Sequence, residues 1–307
     1  MPRDAGRGGA GGRKTTRAGA RAARDAVAPT TPAPPVVSPR LQSVTHTHPG
    51  WADAQRFPFS VPSIRAMTTL DLDVPVTCFV GENGSGKSTL LEALAVATGL
   101  PVAGGAQRAA DDPTLAEQAW LARALRLAWS VRTNRGFFLR AEDFFAWQQT
   151  QQRLRAELEA RLAAIDVELA DASEQARALA RGPLRASLDD MTTRYGADPD
   201  ARSHGEAFLA FFERRLVPRG LYLLDEPEAA LSPQRQLALV ALILDAVDAG
   251  AQFVIATHSP ILLAIPGARV WSFDEGAPTM IPWDETDHVR LTRDFLAAPD
   301  RILSRLR

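Results

Sequence analysis

Several short apolar runs stand out along the chain. "VTCFV", "LYLLD", "QFVIA" and "RVWSF" are unbroken and of strand length, the pattern of strands buried on both faces of a parallel sheet. "STLLEALAVATG" follows the first run and predicts a helix that ends at Gly99. "SHGEAFLAFFERRL" and "LSPQRQLALVALILDAVDAG" predict two more helices, each leading into a strand. "FPFSVPSI" predicts a strand, at an edge because Pro58 and Pro62 interrupt it. "LRLAWSVRTNRGFFLRAEDFF" predicts a hairpin, two strands around a turn at Thr133–Gly136. Strands alternating with helices predict an α/β fold.

Trp147 to Arg181 is polar and helical. Its apolar positions Leu158, Leu162, Ile165, Leu169, Ala172, Ala176 and Leu179 step by alternating fours and threes, a heptad seam. At ~1.5 Å per residue this helix is roughly 50 Å long. Gly182 and Pro183 are expected to stop it, with Leu184–Arg194 as a shorter helical piece that can fold back. The insert, about residues 147–195, reads equally as a coiled-coil stub or as a surface subdomain packed on the sheet. Residues 1–40 are Gly, Ala, Arg and Pro with almost nothing to bury, so a disordered basic tail is expected there, ahead of one folded domain over 41–307.

Charge sharpens the division. The whole chain carries −1, but eight Lys/Arg against Asp4 and Asp25 give residues 1–40 +6, which leaves −7 on the rest. The balance calls for neither a nucleic-acid nor a membrane partner, and the tail is expected to be a solvated extension. Cys78 is the only cysteine, inside "VTCFV", so it reads as a small buried hydrophobe. No run of about 18 apolar residues occurs, and no apolar stretch follows the basic N-terminus. The expected location is cytoplasmic.

Of 35 basic residues only Lys14 and Lys87 are lysine. Lys87 falls in "GENGSGKSTLLEALA", which fits G-x-x-x-x-G-K-[ST]: Gly81, Glu82, Asn83, Gly84, Ser85, Gly86, Lys87, Ser88 and Thr89. In this pattern a strand ends in a loop whose backbone N–H groups wrap a β-phosphate, with a helix N-terminus behind it. Glycines permit the close approach. Lys87 reaches the β/γ oxygens as a compact ammonium, a shape that arginine's broad fork cannot copy. Ser88 supplies a hydroxyl to Mg²⁺. A chance match in a chain of this length is on the order of 1%. "LYLLDEPEAAL" adds a buried strand ending in Asp225, suited to hold the Mg²⁺ hydration shell, and Glu226, suited to take a proton from an attacking water. ATP with Mg²⁺ is the expected ligand.

"ENGSGKST", "LLDEPEAALS" and "FVIATHSP" together resemble the ABC-type ATPases, in particular the branch related to the RecF, SMC and DNA-repair ATPases, over about residues 55–300. The resemblance implies a P-loop NTPase of ABC type: a mostly parallel sheet flanked by helices, an antiparallel β subdomain and a helical insert. It makes His258 the switch histidine that meets the γ-phosphate. Ala230-Leu231-Ser232 takes the place of the D-loop, without its usual aspartate. The family's signature loop is reduced to Ser203-His204-Gly205-Glu206, in which Ser203 and Gly205 keep a hydroxyl and a helix N-terminus for phosphate. The Q-loop glutamine has no match, and either Arg140 or Glu142 in "FFLRAEDFF" takes its place. Phe57 or Phe59 is expected as an edge-strand core aromatic, with adenine stacking as the alternative.

One chain has one P-loop and one signature loop, so the resemblance implies a head-to-tail homodimer. Three roles follow. The first is a mechanoenzyme acting on DNA or a protein complex; the second is a slow ATP-driven switch, and the third is a transporter's nucleotide-binding subunit. The position of the helical insert favours the first, although the folded part has no basic stripe interleaved with aromatics. The odd "RAED" weighs against the third.

Overall fold

The computed structural model describes residues 40–47, 55–103, 108–195 and 204–306, all within one compact unit, 37–307. Along the chain run β1 (Leu41–His46), α1 (Pro62–Ala66), β2 (Thr69–Asp71), β3 (Val76–Val80) and α2 (Lys87–Thr98). Next come α3 (Gln118–Ala124), β4 (Leu125–Trp129), β5 (Gly136–Arg140), α4 (Ala141–Glu168), α5 (Glu174–Tyr195) and α6 (His204–Arg215). The last part holds β6 (Leu221–Asp225), α7 (Pro233–Asp248), β7 (Gln252–Ala256), α8 (Pro260–Leu263), β8 (Arg269–Ser272), β9 (Thr279–Met280) and α9 (Asp287–Ala297).

The main sheet has the order β5-β6-β7-β3-β8-β9 and is parallel except for β9. Strands β3, β6 and β7 are buried along their whole length, which explains their unbroken apolar runs. Alternate residues serve opposite faces. Phe79, Leu223 and Val254 pack towards Leu90 and Leu94 of α2, while Tyr222, Phe253 and Ile255 pack towards Phe208 and Phe212 of α6 and Leu239 of α7. A second, antiparallel sheet, β2-β1-β4, joins the α2 side of the core through Leu41, Val44 and Leu70. The fold is therefore α/β, a mostly parallel sheet flanked by helices, with an antiparallel β sheet and a helical hairpin.

One side chain stitches the two sheets together. Gln252, 1% exposed in β7, accepts the Leu41 N–H at 2.9 Å through Oε1. Its Nε2 donates to the carbonyls of Leu41 at 2.8 Å and Leu72 at 2.7 Å. A buried carboxamide with both ends used is a directional joint.

Three expectations need correction. "FPFSVPSI" is a turn and the short helix α1, not a strand, because Pro62 occupies the first helical turn, where no N–H is required. The Thr133–Gly136 turn does not close a hairpin: β4 pairs with β1 and β5 with β6. The heptad seam does not run on to Gly182. Helix α4 stops at Glu168, and Ser173 opens α5 by accepting the Ala176 N–H at 3.3 Å. Pro183 then lies inside α5, at an exposed position where water can meet the carbonyl left unpaired one turn back. Ile165 is buried and Leu158 and Leu162 are half-buried, whereas Leu179 is 82% exposed. An Arg181–Asp166 ion pair closes the hairpin. Of the expected tail, residues 1–39 lie outside the described residues.

Candidate nucleotide site

The site forms where β3, β5, β6 and β7 end together. After β3 the chain turns through Gly81, Gly84 and Gly86, all with positive φ, and enters α2 at Lys87. Gly86 has φ 104°, and a Cβ there would lie 2.5 Å from Ser63 Oγ and 2.9 Å from Val61 Cγ1. Only glycine fits. The loop is braced from both flanks: Ser63 Oγ donates to the Ser85 carbonyl, and Asp274 Oδ1 accepts the Glu82 N–H at 2.6 Å. Asn83 is exposed at the loop's crown, and Thr89 is half-buried in the first turn of α2.

Lys87 is 3% exposed, and its Nζ donates to the carbonyls of Gly81 at 2.6 Å and Glu82 at 3.0 Å. Burial pushes its pKa below the usual lysine range, while Glu226 and Asp225 pull it back up. Ser88 Oγ donates to Asp225 Oδ1 at 2.9 Å, so the hydroxyl and the carboxylate expected to flank a metal are already paired. Burial pushes the Asp225 carboxyl up to about 7, against the Ser88 hydrogen bond. Donors of this type, at this separation beside a loop that a Cβ would fill, suit a magnesium–phosphate ligand.

Glu226 follows with φ 48° and ψ 49°, a left-handed conformation that costs a non-glycine residue about 1 kcal/mol or more. Its N–H donates to the Ala256 carbonyl at 2.9 Å, which ties the turn after β6 to the end of β7. There His258 points its Nε2 at Glu226 Oε1, 3.6 Å away. The Glu228 carboxylate Oε1 accepts both the His258 N–H at 2.6 Å and the Thr257 hydroxyl at 2.7 Å. Burial pushes the Glu228 pKa up.

Arg140, directly opposite Asp225 in the β5–β6 register, forms an ion pair with Glu92 at 2.6 Å and a longer one with Asp143 at 3.4 Å. Glu92 sits one turn after Ser88 on α2, and its pKa is raised by burial against the pull of Arg140. A cleft of about 380 Å³ is lined by Ser88, Glu92, Arg140, Glu142, Asp225 and Glu226. Both candidates for the Q-loop position therefore border the cleft, Arg140 through a partly buried ion pair and Glu142 from the first turn of α4.

Phe59 is 6% exposed and stacks on His46 at 5.9 Å, a core position; Phe57 is half-buried. Cys78 is fully buried, with its thiol pushed up to about 12. Gly205 is buried in the first turn of α6, and Ser203 lies outside the described residues. Ser232 precedes α7 without a side-chain cap bond. Sequence reasoning missed Glu92, Glu228, His288, Ser63 and Asp274. No contiguous motif marked them, because each acts through a residue on another element.

A glycine-rich loop between a buried strand and a helix, with a serine hydrogen-bonded to the aspartate that ends β6, defines a P-loop NTPase. Residues 61–117 match the model of the AAA domain, and residues 207–264 match a second AAA-domain model whose description also names the AbiEii toxin and the Type IV TA system. The chain is 30% identical over 208 residues to the cytochrome c biogenesis ATP-binding export protein CcmA of Rhodopseudomonas palustris (strain BisB18), covering 66% of this chain and 88% of that protein. The chain belongs to the ABC-type ATPase family.

Among solved structures, a nucleotide-free ATP-binding cassette from an ABC transporter covers 83% of this chain and 95% of its own, at 16% identity and a TM-score of 0.41. The Smc head domain with an extended coiled coil, bound to the C-terminal domain of ScpA, from Pyrococcus furiosus, covers 84% and 100%, at 12% identity and a TM-score of 0.38. At those scores neither likeness bears on function.

Proposed function

We propose that the chain binds and hydrolyses Mg-ATP as a head-to-tail dimer and uses the cycle to move its α4–α5 hairpin against DNA or a protein complex. The observation that carries this reading is the Arg140–Glu92 pair: it joins the P-loop helix to the residue from which α4 starts. In this reading Lys87 and the loop N–H groups hold the β- and γ-phosphates, and Ser88 with Asp225 would hold Mg²⁺. Bound there, Mg²⁺ would neutralise charge on the phosphate oxygens. Glu226 accepts a proton from the attacking water, and His258 donates to the terminal phosphate. Arg140, beside Asp225, responds to phosphate charge by shifting its hold on Glu92, and α4 follows. Ser203 and Gly205 of a second copy complete the site across the dimer.

The test is an ATPase series with and without DNA. Lys87→Ala should lose ATP binding, and Glu226→Gln should bind ATP but lose about 10²-fold or more in turnover. Lys87→Ala and Ser203→Arg should each be inactive, and their mixture active, because a mixed dimer keeps one whole composite site. A mixture that stays inactive, with both chains folded, would place the site within one chain. The likeness to CcmA favours a second reading, the ATP-binding subunit of an exporter. A rate unchanged by duplex, single-stranded or broken-end DNA, with co-purification of an integral membrane protein, would support that one.

A further inference from the structure

The first turn of α9 brings a second histidine to the site. His258 Nδ1 and His288 Nε2 are 2.9 Å apart, with ring centroids 4.8 Å apart at 63°, so the two imidazoles share one hydrogen bond edge to face. His288 is firmly held. Thr286 caps α9 by accepting the Val289 N–H at 3.4 Å, its hydroxyl donates to the Trp283 carbonyl at 2.9 Å, and Val289, 4% exposed, packs in the core with Leu262 and Leu263 of α8. The backbone of His258 is fixed on the other side by Glu228. The backbones of both residues are thus held by supports of their own.

Two neutral imidazoles can share this bond in two ways. Either His258 Nδ1–H donates to His288, which leaves a lone pair on His258 Nε2, or His288 Nε2–H donates to His258, which leaves a proton on His258 Nε2. The environment of Nε2 decides between them. That atom is buried without a hydrogen-bond partner among the described residues, and the Glu226 carboxylate lies 3.6 Å from it. A lone pair facing a carboxylate is repelled, and an N–H facing it is attracted. Burial, together with Lys87 and His288, holds the His258 pKa below its ordinary value, which disfavours the doubly protonated ring.

We propose that His288 is a positioning residue that donates to His258 Nδ1 and thereby fixes the switch histidine as an Nε2–H donor towards the terminal phosphate. The role at the phosphate rests on the reading given under Proposed function; the tautomer does not. His288 belongs to none of the motifs that mark the P-loop, the strand-end carboxylates or the switch histidine, and lies 30 residues beyond His258. It makes helix α9 a support of the switch histidine.

The test has two arms on the full-length chain. With ¹⁵N-labelled histidine at about pH 8, above the ordinary histidine pKa, long-range proton–nitrogen spectra report which ring nitrogen of His258 is protonated, and His258→Asn assigns its signals. The wild type should show Nε2 protonated and Nδ1 as the acceptor, and His288→Leu should raise the population protonated at Nδ1. A wild-type His258 protonated on Nδ1 would overturn the proposal even if the chain hydrolysed no ATP.

In the second arm, His288→Leu should lower kcat about 5-fold, the worth of one hydrogen bond, with little change in KM. His288→Gln, whose Nε2 amide can donate from a similar place, should recover most of that loss. A wild-type kcat in His288→Leu, or an equal loss in the two folded variants, would assign His288 to packing alone.

Discussion

Asp225 is the residue whose chemistry is most exposed to pH. Its carboxyl, pushed up to about 7 by burial, is largely protonated at pH 6 and ionised at pH 8. A metal needs the ionised form, so binding must expel the proton wherever one is held. Mg-ATP binding at about pH 6 should therefore release close to one proton from this site, and at about pH 8 almost none. Magnesium affinity should rise with pH towards 7 and level off above it. Calorimetry in buffers of different ionisation enthalpy reads the proton directly, and equal release at both pH values would remove Asp225 from the metal site. Residues of this kind were legible in the sequence because they sit in contiguous motifs. Lys87 was legible twice, since it stands out in a chain that otherwise uses arginine. Arg140's partner Glu92, the Glu228 clamp and His288 were not, because each acts through a residue on another element. No spacing along the chain encodes that contact.

Among the elements, β3, β6, β7 and β8 and the helices α2, α6 and α7 could be read from their apolar patterns, which burial on one or both sides dictates. Strands β1 and β2 could not. They are only partly buried and are joined by segments without periodicity, and their stability comes from β4 and from Gln252. The break at Gly182 was misread because a proline weakens or bends a helix without having to end it, and the carbonyl that Pro183 leaves unpaired faces water. The Gln252 joint makes a sharp prediction at this scale. Gln252→Leu keeps the volume but orphans the Leu41 N–H and the Leu72 carbonyl, at about 1–3 kcal/mol for each buried group. A loss of about 3 kcal/mol is expected in urea unfolding. A loss below about 1 kcal/mol would show that backbone neighbours or water can take over the joint.

At the scale of the whole molecule, the P-loop helix lies between the main sheet and the antiparallel one, and its cover comes from distant stretches of chain. Val44 of β1 pairs with Leu127 of β4, and Gln252 reaches Leu41 across 211 positions. The α4–α5 hairpin, by contrast, is built from neighbours in sequence. Contacts between distant segments form slowly, because loop closure must precede any gain from burial. Helix α2 is therefore expected to reach its final packing only after β1 and β7 have met, and the loop at its N-terminus inherits that delay. On refolding from urea, helical signal in the far ultraviolet should return before the chain can capture a fluorescent ATP analogue. Simultaneous recovery of the two would contradict this order. A nascent chain released before β7 is made would carry the whole Gly81–Thr89 sequence and still be unable to hold nucleotide. The molecule's working life starts only when its last strands arrive.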